Sequence, residues 1–182
     1  NLYLHLGWHT YRDQTIYSGI KQIESGCNLI ISKDLKVRIN KYWDIDLTKP
    51  KLNISVDDAI AGYKSLFENS IDLHMRSDVP VGATLSGGID SSSIVSMIAK
   101  RNPNYHLKTF SIYYTTEKNM DERPFIKELG KKYKNVESFY KEPSEQEIFD
   151  ELEKILSFQD FPLLGSSFIS QYFVMKLAKE NG

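Results

Sequence analysis

The spacing of apolar and polar positions changes along this chain, and the change divides it. Residues 28–32 (N-L-I-I-S) and 37–43 (V-R-I-N-K-Y-W) are apolar or alternating runs separated by the polar stretch Lys33-Asp34-Leu35-Lys36, which predicts two strands joined by a turn. Two strands alone rarely stand in water, so this segment needs other strands or must lean on the remainder of the chain. Residues 44–54 are mostly polar, contain Pro50 and show no period, and are read as a linker.

Beyond the linker the pattern alternates between helix and strand. Ser55-Val56-Asp57-Asp58 resembles a capping box, and Val56, Ala59, Ile60, Tyr63, Phe67, Ile71 and Met75 succeed it at helical spacing, predicting a long amphipathic helix that ends near Ser77. Residues 81–85 (V-G-A-T-L) are small or apolar throughout, as in a strand buried on both faces. Ile94, Val95, Ile98 and Ala99 mark a helix that runs to Asn102-Pro103. Residues 107–113 predict a second strand, 121–133 a helix with Pro124 in its first turn, and 136–140 a third strand. Two helices come next, one opened by Ser144 with Glu147 three positions on, the other spanning about 166–179 before Gly182. Strands alternating with helices imply an α/β fold, a parallel sheet with helices on both faces.

The candidate chemistry sits between the first buried strand and its helix, in Ser86-Gly87-Gly88-Ile89-Asp90-Ser91-Ser92. In an open parallel sheet this is the crevice at the carboxyl ends of the strands, where ligands bind. Two glycines let the backbone turn sharply and bring N–H groups against an anion, while the helix start adds unpaired donors and a positive dipole end. Ser86, Ser91 and Ser92 add hydroxyls, so the loop suits phosphate oxygens. Asp90 is repulsive beside a phosphate unless a cation lies between them, which makes Mg2+ the natural bridge. The loop is neither Gly-x4-Gly-Lys-Ser/Thr nor G-x-G-x-x-G. The bland reading is a serine-rich turn with Asp90 capping the helix; the flanking buried strand and helix favour the phosphate loop.

The heptad resembles the signature of the N-type ATP pyrophosphatases, which adenylate a substrate and release pyrophosphate. Its approach, Arg76-Ser77-Asp78-Val79-Pro80-Val81-Gly82, resembles that of asparagine synthetases of the glutamine-hydrolysing type. Gly19-Ile20-Lys21-Gln22-Ile23 and Lys41-Tyr42-Trp43-Asp44-Ile45 resemble the last strands of that family's glutaminase domain and the junction beyond it. The resemblance implies a Rossmann-like synthetase domain over residues 55–182 and a β-rich glutaminase remnant over 1–43, both incomplete. It implies ATP and Mg2+, with Ser86, Gly87, Gly88, Asp90, Ser91 and Ser92 holding the pyrophosphate and Asp90 ligating the metal. Thr84, Leu85 and Ile112 would line the adenine pocket through backbone groups, with Ser111 at its edge; plain strand packing is the alternative for these four. The implied reaction activates the aspartate side-chain carboxylate as an acyl-adenylate, which ammonia from glutamine then attacks. Relatives that form β-lactams, cyclise peptides or amidate other carboxylates share the loop, and so do tRNA-modifying enzymes.

Two departures bear on activity. The family's glutaminase nucleophile is an amino-terminal cysteine, whereas Cys27 is the only cysteine here and stands after Gly26 at the edge of a strand-like run. The family's second loop, G-x-G-x-D-E, would begin just past Gly182. The chain opens with Asn1 and closes directly after a helical pattern, so it reads as a piece of something longer, and no catalytic residue is assigned within it.

Composition narrows the partners. The 182 residues are 41% hydrophobic with a net charge of -1, and basic residues are mixed with acidic ones, which argues against a nucleic-acid footprint. No run is long enough to span a bilayer and the lone cysteine has no partner, so a reducing, cytoplasmic setting is expected, with small-molecule substrates. A homodimer is an arrangement open to the full-length protein. His5, His9, His74 and His106 lack ligand spacing. Asp121-Glu122 read as helix-opening acids, and Gln159-Asp160-Phe161-Pro162 as a helix stop.

Overall fold

A computed structural model describes residues 5–7, 10–49, 53–115, 123–161, 165 and 167–182. The sequence expectations for His9, Asp121-Glu122, Pro162 and Ser166 lie outside the described residues.

The chain divides into two compact units, Asn1–Asn53 with Gln159–Leu164, and Ile54–Phe158 with Gly165–Gly182. The first holds two antiparallel pairs, β1 (Thr10–Tyr11) with β2 (Gln14–Thr15), and β3 (Cys27–Ile31) with β4 (Val37–Lys41). The β3–β4 turn closes where Leu35 takes a left-handed φ of 60° and donates its N–H to the Ser32 carbonyl at 2.9 Å. Gly26, also left-handed, lies against the Trp43 carbonyl so closely that a Cβ there would stand 2.2 Å from the oxygen. None of this unit's described residues is buried.

The second unit is a three-stranded parallel sheet, ordered β5 (Ala83–Thr84), β6 (Leu107–Ile112), β7 (Val136–Lys141), with helices on both faces. The helices among its described residues are α1 (Val56–His74), α2 (Ile89–Arg101), α3 (Arg123–Lys132), α4 (Glu145–Ser157) and α5 (Ser167–Glu180). Side chains alternate across β6. Leu107 joins Leu85, Ile71 of α1, Val95 and Ile98 of α2 and Ile126 and Leu129 of α3 in the core of one face. Phe110 and Ile112 meet Val174 and Leu177 of α5 on the other. No helix among the described residues is long and apolar enough to cross a membrane.

Local chemistry explains the helix starts. The Ser55 hydroxyl accepts from Asp58 N–H at 3.0 Å and donates to the Asp58 carboxylate at 2.7 Å, so Asp58 closes on the serine hydroxyl and not on its backbone. At α4 the reciprocal box forms: Glu147 N–H donates to Ser144 Oγ at 3.1 Å, and Ser144 N–H donates to the Glu147 carboxylate at 2.9 Å. The apolar face of α1 is covered only near its end. Ile71 is buried and Phe67 and Met75 are partly buried, whereas Val56, Ile60 and Tyr63 are exposed by 75%, 60% and 71%. That end is held by Arg101, whose guanidinium donates to the Asp72 carboxylate at 2.9 and 2.5 Å and to Glu68 at 3.4 Å.

Candidate nucleotide cleft

β5 pairs with β6 for only two residues, Ala83 beside Thr109 and Thr84 beside Phe110. Leu85 carries the pairing one step further. Its N–H donates to the Phe110 carbonyl at 3.0 Å, and its carbonyl accepts from the Ser111 hydroxyl at 2.6 Å. The approach to the strand is fixed as well: Val81 N–H donates to Tyr105 Oη at 2.7 Å, and Tyr105 Oη donates to the Val81 carbonyl at 2.8 Å. Asn135 secures Tyr105 in turn, its amide donating to the carbonyls of Ala99, Asn102 and Tyr105 at 3.0 to 3.2 Å.

The chain leaves the sheet at Ser86 and reverses at Gly87, whose φ of 87° is the left-handed region that glycine enters without steric cost. Gly88 is the extended N-cap of α2 and supplies no side chain to it, so the first-turn N–H groups of Ile89, Asp90 and Ser91 have no intrahelical acceptor. Two serines brace the loop from within. Ser86 N–H donates to Ser91 Oγ at 3.2 Å, the two hydroxyls lie 3.0 Å apart, Gly88 N–H reaches Ser86 Oγ at 3.4 Å, and Ser91 Oγ donates to the Gly88 carbonyl at 3.2 Å. Two of the three hydroxyls expected to face a phosphate, those of Ser86 and Ser91, are therefore engaged in holding the turn.

Thr84, Leu85, Ser86, Ser91, Ser111 and Ile112 come together around one cleft of about 350 Å3. Gly87 and Ser92 border a second concavity, against α3, and Asp90 lines a third with Tyr63, Phe67, Ile94 and Met97, on the α1 side. Gly88 lies between these openings as the N-cap. The expected cluster is thus spread over several sides of one helix start, because successive helical residues point about 100° apart. Asp90 is exposed and makes no hydrogen bond or ion pair among the described residues. No group of three His, Cys, Asp or Glu among those residues could hold a metal by itself.

The remaining wall was not identified from sequence. Ser167, Ser170, Gln171, Val174 and Met175 of α5 close the cleft opposite the strand ends. Their spacing is a helical stripe, so the signal was present, but nothing in the sequence says which sheet edge the stripe faces. Cys27 opens β3 and is unpaired.

The asparagine synthase family model matches residues 62–182, about two thirds of the chain. The chain is 35% identical over 167 residues to asparagine synthetase [glutamine-hydrolyzing] 1 of Bacillus subtilis strain 168, covering 92% of this chain and 26% of that protein. It is 33% identical over 175 residues to putative asparagine synthetase [glutamine-hydrolyzing] 2 of Methanocaldococcus jannaschii, covering 92% of this chain and 33% of the relative. A shorter likeness, 31% over 100 residues and half of this chain, is to the amidase chyE of Penicillium rubens. The chain spans about a quarter to a third of the length of the two synthetases. On the reach of the family match, the chain belongs to the asparagine synthase family.

Proposed function

We propose that this chain supplies the ATP-binding loop of an enzyme that makes asparagine from aspartate and glutamine-derived ammonia through an acyl-adenylate. The observation that carries the reading is the start of α2: a left-handed Gly87, an N-cap without a side-chain bond, and first-turn N–H groups aimed out of the carboxyl end of a parallel sheet.

In this reading the base occupies the cleft beside Thr84, Leu85, Ser111 and Ile112. The triphosphate crosses the start of α2, where the N–H groups of Ile89, Asp90 and Ser91 and the Ser92 hydroxyl donate to its oxygens. The aspartate side-chain carboxylate attacks the α-phosphorus, the bond to the bridging oxygen breaks, and pyrophosphate departs carrying the charge that those donors stabilise. Ammonia then attacks the acyl carbon and AMP leaves. Asp90 fits Mg2+, being an exposed carboxylate with no protein partner among the described residues, and the ion when bound would offset charge on the departing pyrophosphate. The chain alone is expected to bind nucleotide without turning it over.

Calorimetric titration with ATP and with pyrophosphate tests the site. Gly87→Ala puts a side chain at φ 87°, where strain of about 1–2 kcal/mol per residue applies, and should weaken pyrophosphate at least roughly tenfold by reshaping the turn. Equal affinity in both proteins, or no uptake of either ligand by the unaltered chain, would remove the loop from the reaction. The product is read separately, on a longer polypeptide containing this chain supplied with aspartate, glutamine and ATP. Asparagine with AMP and pyrophosphate is expected; ADP and phosphate would exclude adenylation, and amide formed on a different acid would favour the amidase-like relatives.

A further inference from the structure

The cleft at the strand ends has apolar walls, Leu85, Phe110 and Ile112 on the sheet side and Val174 and Met175 on α5. Most of its polar side chains are already engaged. Ser111 Oγ donates to the Leu85 carbonyl at 2.6 Å, Ser170 Oγ pairs with Tyr114 Oη at 2.9 Å, and the Ser86 and Ser91 hydroxyls lie 3.0 Å from each other. The Ser170 contact is itself anchored, since the next residue after Tyr114, Thr115, donates both its N–H and its hydroxyl to the Glu142 carboxylate at 2.6 Å.

Gln171 is different. It lines the same cleft and is exposed, and its carboxamide has no protein partner among the described residues. It lies one helical turn after Ser167 and one before Met175, so its place on the cleft-facing stripe is set by its position in α5. Thr84 and Ser167 offer single hydroxyls at the cleft. Gln171 alone among the lining side chains presents a donor and an acceptor side by side at fixed separation.

We propose that Gln171 reads the nucleotide base, accepting from the exocyclic amino group of adenine and donating to the adjacent ring nitrogen. The proposal rests on the ATP-binding role of the α2 start and adds a specificity-determining residue to it. A carboxamide meets adenine in this bidentate way because the purine also carries a donor beside an acceptor. The apolar walls hold the ring faces but cannot distinguish one purine from another, since stacking accepts any π-face. Backbone groups at the strand ends can meet the base edge as well, and Gln171 adds to them the one side chain in the cleft able to meet it on two atoms.

The test compares ATP with purine riboside triphosphate, which lacks the amino group, and uses pyrophosphate as a ligand that has no base for Gln171 to meet. Each is titrated by calorimetry into the full chain and into Gln171→Leu, a substitution that keeps helix propensity at an exposed position. The unaltered chain is expected to prefer ATP by roughly tenfold or more, the scale of one bidentate contact. In Gln171→Leu most of that preference should be lost while pyrophosphate affinity stays unchanged, which also shows the loop to be intact. If Gln171→Leu keeps the preference, or the unaltered chain has none, Gln171 does not read the base, although binding of ATP and pyrophosphate would still support the site. If the unaltered chain binds neither ATP nor pyrophosphate, both the proposal and the ATP-binding role beneath it fall.

Discussion

Replacing Ser111 by alanine separates two roles that sequence leaves open, edge of a ligand pocket and packing within the sheet. The side chain is 4% exposed, and its hydroxyl donates to the carbonyl of Leu85, itself 1% exposed, at 2.6 Å. Alanine fits the space but leaves that carbonyl without its donor, and an unsatisfied buried acceptor costs about 1–3 kcal/mol. The loss falls where it matters, because β5 has only two ladder residues and Leu85 is the last point at which it is tied to β6. With a urea dependence of about 2 kcal/mol per M, in the range for small proteins, Ser111→Ala should lower the unfolding midpoint by about 0.5–1.5 M. Far-UV circular dichroism reports the transition, since the helices of this unit dominate the signal. Affinity for ATP, measured well below the midpoint, should change much less than stability does. An unaltered midpoint with ATP affinity reduced tenfold would refute the reasoning and make Ser111 a ligand-binding group.

Two further substitutions probe the scaffold. At Gly82 an added Cβ would stand 2.7 Å from the Phe110 ring and 3.2 Å from the Lys108 carbonyl; Gly82→Ala should cost about 1–3 kcal/mol in thermal unfolding, and an unchanged melting temperature would mean that the segment before β5 yields freely. Glu151 is held down from 4.5 to about 2, first by its hydrogen bond from Lys176, then by Tyr172, with Lys154 nearby. Because the folded value lies below the unfolded one, its stabilisation is present above pH 4.5 and is lost as pH falls towards 2. Glu151→Gln should flatten that limb of a plot of melting temperature against pH, and an identical limb would show that the pair contributes nothing to acid sensitivity.

Much of the fold is local and was therefore legible. Ser144 and Glu147 form their reciprocal cap three residues apart, and the order of strands and helices beyond the linker matches the parallel sheet observed. Coverage is not local. The period of Val56, Ile60 and Tyr63 identifies the apolar face of α1, yet those residues are exposed because α2 meets only the far end of the helix, through Ile71, Phe67 and Arg101. The strand expected over 81–85 is shorter for a similar reason: Val81 spends its backbone groups on Tyr105 Oη instead of on a neighbouring strand. At the candidate site, the residues at the two strand ends meet because β5 and β6 pair in parallel, and the sequence named Thr84, Leu85, Ser111 and Ile112 only through the family resemblance. Ser170 and Gln171 arrive from α5, whose stripe names a face without naming what it faces.

The distribution of Asp90 and Ser91 is dictated by the helix that carries them. Ser91 turns towards the cleft at the strand ends, while Asp90 shares a side of α2 with Ser93, Ile94 and Met97 and lines the α1 side. Adjacent helical residues point about 100° apart, so the Asp90 carboxylate need not confront the same ligand oxygen as the neighbouring Ser91 hydroxyl. The repulsion that a metal was invoked to relieve is thereby reduced by geometry before any ion is present. A ligand confined to the cleft meets Ser86, Ser91 and the α5 wall but lies on the other side of the helix start from Asp90. Only a ligand with a chain of phosphates long enough to cross the exposed first-turn N–H groups would engage both sides together, as the proposed triphosphate would and a nucleoside would not.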